Sequence, residues 1–172
     1  MRLRSLAGPI VVAAVLGSGA CGSDEPPEPD RMTACEVVTA REVATAIRRP
    51  VATPPAAADA ATDQLAGRSG CAWSSEDGDV GVLVELVRTA DMSASVRRTG
   101  FSATARFKAA AAEHSEAAAG STFFVEEESK LWVLVEDSLV VFEVAVTPTS
   151  AAQGIAESLR ARALPRLERA DS

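Results

Sequence analysis

The hydrophobic positions of this chain change their spacing several times. From Leu6 to Leu16 they run together, interrupted only by Gly8 and Pro9. A polar strip, "CGSDEPPEPD" (21–30), follows with nothing to bury. In "CEVVTAREVATAIRRP" (35–50), Val43, Ala44 and Ile47 fall on one helical face. Thr39 and Glu42 have the spacing of a capping box, and Val38 and Val43 that of a hydrophobic staple across it. Pro50 stops the run, so the spacing predicts a helix over about 40–48.

Residues 50–70, "PVATPPAAADAATDQLAGRSG", have no period and read as a long irregular loop with at most a helical turn around Ala56–Leu65. From Cys71 the period becomes two. "CAWSS", a turn at "EDGD" and "VGVLVELVR" predict a β-hairpin. Val80, Val82, Val84 and Leu86 share one side, and Cys71 and Trp73 share a face of the first strand. "DMSASVRRTGFSATARFKAAAAEHSEAAAG" turns helical, with a break at Gly100 and a stop at Gly120.

"STFFVEE", "KLWVLVE" and "LVVFEVAV" then read as a three-strand meander. Leu131, Val133 and Val135 alternate with Trp132 and Leu134, so the middle segment is expected to be a central strand covered on both faces. Ser150 and Gln153 have capping-box spacing before "AAQGIAESLRARALPRL", whose buried stripe is Ile155 and Leu159 and which Pro165 kinks or ends. The order α-ββ-α-βββ-α predicts an α+β fold, an antiparallel sheet of about five strands with helices packed on it.

The apolar start changes the picture of location. Arg2 and Arg4 precede it, it is too short to cross a bilayer, and it exits through Ser18-Gly19-Ala20. These are the marks of an export signal over 1–20. Two cleavage readings compete: an ordinary secretory cut that leaves a secreted protein, and a lipobox-like cut in which Cys21 receives diacylglycerol and palmitate-type acyl chains. Ser18 stands where a lipobox prefers an aliphatic residue. The strip after Cys21 tips the balance, because 22–34 read as a charged, proline-stiffened tether reaching about 45 Å when extended. The expected organisation is a lipid-anchored tether over 21–34, one α+β domain over 35–168 and a tail over 169–172.

Cysteine arithmetic agrees. The chain has three cysteines. Acylation of Cys21 leaves Cys35 and Cys71 as an even pair in an oxidising compartment. Two independent buried thiols are the bland alternative; a metal site lacks ligand spacing. Loss of Arg2 and Arg4 takes the net charge from −7 to −9. So acidic a chain is not expected to bind nucleic acid or, by default, anionic lipid headgroups.

"ACEVVTAREVATAI", a long loop, "GCAWSSEDGDVGVLVEL", an alanine-rich stretch, a meander and a final helix resemble an actinobacterial lipoprotein family of unknown function. Cys35 and the Cys71-Ala72-Trp73 triplet fill its two cysteine places. The chain departs from it at "IRRP", where the family commonly has a glycine. The resemblance covers about 34–167 and implies an exported, lipidated, disulfide-bonded domain; it supplies no catalytic residues.

Candidate chemistry is sparse. His114 is the only histidine, and its neighbour Ser115 points about 100° away on a helix. In "VEEES" (125–129), strand alternation lets at most Glu126 and Glu128 converge, for Ca²⁺ binding or acid–base work, against the plainer reading of an exposed charge run. Arg162, Arg166 and Arg169 share a helical face, which complements the helix dipole or docks membrane phosphates or an acidic protein. Ala109–Ala112 and Ala117–Ala119 suit close packing on the sheet. No cofactor or metal is expected and no catalytic residue is assigned. The expected function is a non-enzymatic binding or accessory module on the outer face of the cell membrane, with an envelope protein or small amphiphile as partner beside the 50–70 loop. The alternatives are an envelope hydrolase or transferase using His114 or Glu126/Glu128, and a carrier of a lipophilic ligand.

Overall fold

The computed structural model describes residues 32–52, 66–114, 120–136, 139–148 and 150–170. The proposed export signal and most of the tether, the Ala56–Leu65 turn and Ala117–Ala119 lie outside these residues. Among the described residues no helix is long and apolar enough to cross a membrane.

The elements are α1 (Ala34–Val37), α2 (Ala40–Ile47), β1 (Ala66–Ser74), β2 (Gly81–Met92), α3 (Ala94–Arg98), α4 (Ala103–Glu113), β3 (Thr122–Val125), β4 (Lys130–Val135), β5 (Val140–Thr147) and α5 (Ala152–Ala170). All strand pairs are antiparallel, in the order β1-β2-β5-β4-β3. This is the expected α+β fold with five strands. The middle strand is β5, however, not β4: β5 returns to pair with β2 as well as β4.

The period-two pattern separates two cores. Cys71, Trp73, Val82, Val84, Leu86, Leu131, Val133, Phe142 and Val144 face α1, α2 and α5. Val87, Trp132, Leu134 and Val141 lie on the opposite face, under Ala103, Phe107, Ala110 and Ala111 of α4. β4 is thus covered on both sides, as its apolar sequence requires. Phe107 meets Phe123 edge to face at 5.1 Å, and Phe123 stacks on Trp132 at 6.0 Å.

Local chemistry explains the helix ends. At α2, Glu42 Oε2 accepts from Thr39 N at 2.9 Å while Thr39 Oγ1 accepts from Glu42 N at 3.4 Å, and Val38 and Val43 are fully buried. The same device recurs at α1, where Thr33 N donates to Glu36 at 2.6 Å. That short helix includes Ala34, which the sequence reading left in the tether.

Four further details depart from expectation. β1 begins at Ala66, inside the expected loop, because its backbone pairs with the far half of β2; Val51 bridges Ser75 on the other side of the gap. The helical stretch breaks at Gly100, φ 84°, into α3 and α4 as expected, but α4 ends at Glu113 rather than Gly120. α5 starts after Ala151, whose carbonyl accepts from Ile155 N, so Ser150 is one residue too early to cap it. α5 also runs through Pro165 to Ala170, taking in two residues of the expected tail.

Candidate functional site

Three constellations stand out. The first is the covalent staple. Cys35 in α1 and Cys71 in β1 form a disulfide with Cα atoms 5.2 Å apart and a sequence separation of 36. Cys71 is fully buried, and Trp73, two residues along the same face, is 2% exposed in the same core. As bonded sulfurs, neither is a nucleophile.

The second is at the β3–β4 turn. The sequence pattern runs the strand through Glu126 and Glu127 and puts the turn at Glu128-Ser129; the turn instead takes in all of Glu126–Ser129, with Ser129 at φ 51°. Strand alternation therefore does not separate them. Glu126 and Glu128 line an open depression of about 520 Å³ together with Glu113, His114 and Phe124. His114 caps the end of α4, and its Nε2 stands 3.4 Å from Glu128 Oε1. The structure thus brings the two candidate groups together, although sequence puts them 14 residues apart. The pair is solvent-facing, with the Glu128 side chain 46% exposed. No group of three or more metal-ligating side chains occurs among the described residues.

The third constellation escaped sequence reading. Glu85 and Glu143 sit directly opposite each other on β2 and β5, on the α4 side of the sheet. Like charges so placed repel, and cations from three other elements resolve the conflict. Arg68 lies 2.5 Å from Glu85; Lys130 lies 2.7 Å from Glu143 and 3.9 Å from Glu85; Arg106 Nε donates to Glu143 at 2.8 Å. Arg106 and Lys130 also stand over the Trp132 ring, 5.3 Å and 4.6 Å from its centroid. Glu143 is 1% exposed. A glutamate in the middle of "LVVFEVAV" and another in "VGVLVELVR" were the visible signals. Their partners come from positions 68, 106 and 130, which only the strand order unites. Every charge in this network faces an opposite one, as a structural ionic cluster requires.

Of the arginines on α5, Arg166 does not form a free patch. Its guanidinium grips both Glu42 oxygens at 2.7 and 2.8 Å and donates to Val37 O at 2.5 Å. This hydrogen-bonded pair draws the Glu42 carboxyl down to about 2 and raises Arg166. At the β1–β2 turn, Asp77 accepts from Ser75 Oγ and Asp79 N, and Arg49 bridges Asp77 and Asp79 at 2.7 and 2.9 Å. The Ser75 bond is the main cause of a lowered Asp77 carboxyl.

The staple, the acidic depression and the buried ionic cluster sit on an α+β scaffold to which no protein family, curated protein or solved structure is matched.

Proposed function

We propose that this chain is a membrane-tethered lipoprotein of the cell envelope whose domain works as a non-enzymatic binding or accessory module. The observation that carries the reading is the Cys35–Cys71 disulfide. Such a bond persists in an oxidising compartment, and of the three cysteines in the sequence it leaves Cys21, directly behind an export-type signal. Membership of the actinobacterial lipoprotein family belongs to the same proposal and rests on Cys35 and the Cys71-Ala72-Trp73 triplet. Cell fractionation tests it. The wild-type protein should sediment with membranes, and Cys21→Ser should move it to the soluble extracytoplasmic fraction. Retention of Cys21→Ser in the cytosol would contradict the reading.

The enzymatic alternative is favoured by one observation, the His114–Glu128 pair in its depression. A histidine beside a carboxylate has the geometry of an oriented general base. Envelope hydrolysis or group transfer lost in both His114→Ala and Glu128→Gln, with folding intact, would establish it; unchanged phenotypes in both would remove it. A lipophilic-ligand carrier would need an apolar void between sheet and α5. Phe142, Leu131 and Leu159 instead bury themselves fully in one cluster there.

A further inference from the structure

The two ends of the sheet differ in charge and in apolar exposure. At one end the 75–80 and 126–129 turns carry Glu76, Asp77, Asp79, Glu126, Glu127 and Glu128. The opposite end is built from the last residues of β2, the turn before β5 and the segment leading into α4. Hydrogen bonds draw these together. Leu139 O accepts from Thr89 N and Thr89 Oγ1 at 3.3 Å, and Thr89 Oγ1 accepts from Ala103 N at 3.0 Å. Phe101 and Leu139 are consequently at this end, 36% and 48% exposed, and are the exposed large hydrophobics among the described residues. Arg97 reaches back to Ala90 O at 3.3 Å, which places α3, with Arg97 and Arg98 exposed, at the same end.

The chain enters the described domain here as well. Arg88 is 9% exposed and donates to Met32 O at 2.7 Å, alongside its strand partner Val140. Asp91, Glu136 and the next residue in sequence, Asp137, stand against the two exposed arginines, so this end has a net charge of about −1, while the other keeps about −5 with Arg49 set against its six carboxylates.

We propose that this end seats on an anionic phospholipid surface, with Phe101 and Leu139 entering the interface, Arg97 and Arg98 at the headgroups and the acidic turns directed away. The proposal rests on the membrane-tethered reading and adds an orientation to it. A flexible tether alone leaves a domain free to rotate. Repulsion between an anionic surface and the acidic turns is strong within a Debye length of about 8–10 Å and fades beyond it. Apolar side chains beside arginines are what an interface of this kind accepts.

The test uses the chain from Cys21 onward, coupled through that thiol to a maleimide phospholipid in vesicles containing phosphatidylglycerol. The anchor is then supplied chemically, so the outcome does not depend on native acylation, which membrane fractionation reads separately. Phe101→Trp and Asp77→Trp report on the two ends through quenching by lipids brominated on their acyl chains. The native Trp73 and Trp132 are 2% and 6% exposed and form a constant background. Phe101→Trp should be quenched severalfold more than Asp77→Trp, and adding Leu139→Asp should abolish the difference. Equal quenching at both positions, or none at either, overturns the proposal. So does a concentration-dependent emission shift of Phe101→Trp without vesicles, which would assign this end to a second copy of the chain.

Discussion

Arg48 sits at the end of α2 with φ 57°, the left-handed conformation that glycine adopts without steric cost. This is the first arginine of "IRRP", and it takes the left-handed backbone itself. Arg48→Gly should therefore raise stability by about 0.5–1 kcal/mol, read from the urea midpoint, since relief of the left-handed strain exceeds the added freedom of the unfolded chain. Glu143 shows the opposite dependence. It is 1% exposed between Lys130 and Arg106. Truncation removes the carboxylate that both cations hold at short range and leaves Lys130 only its longer contact to Glu85, so Glu143→Ala should cost about 3–5 kcal/mol in the same measurement. A near-neutral result would mean that the cations find solvent or other partners.

At the scale of elements, α5 contains its own weak point. Pro165 lies inside the helix and is exposed, so its ring displaces a bond to Ala161 O without filling the core. Pro165→Ala should stabilise the domain by about 1–3 kcal/mol, visible as a higher melting temperature. Elements with strong local signals were readable from sequence: α2 from its cap and staple, the meander from alternation, the helix break from Gly100. What stayed hidden has physical causes. Four residues of α1 are too few for a period. "AGRSG" at the start of β1 joins the sheet through its backbone, without an apolar face. The return of β5 to β2 depends on long-range pairing, and with it goes the ionic cluster, whose members share a face only after the strands are ordered.

For the whole molecule, α5 is fastened to α2 by the Arg166–Glu42 pair, and α1 to β1 by the disulfide. Glu42 titrates at about 2 in the fold against an ordinary 4.5. Its stabilisation is complete above the unfolded value and is lost as pH falls from about 4.5 toward 2. Unfolding experiments across pH should show wild type exceeding Glu42→Gln by about 1.5–3 kcal/mol near neutrality, the difference closing over that acidic window. A constant gap down to pH 2 would contradict the assignment. The disulfide closes a 36-residue separation, so its reduction should cost roughly 3–4 kcal/mol.

Location remains the premise on which tether, staple and orientation depend together. Intact-mass analysis of the protein extracted from native membranes reads it in one spectrum. The expected species starts at Cys21, carries a diacylglyceryl and acyl increment and lacks the two hydrogens of Cys35 and Cys71. A species that retains Met1, with all three thiols open to alkylation, would contradict it.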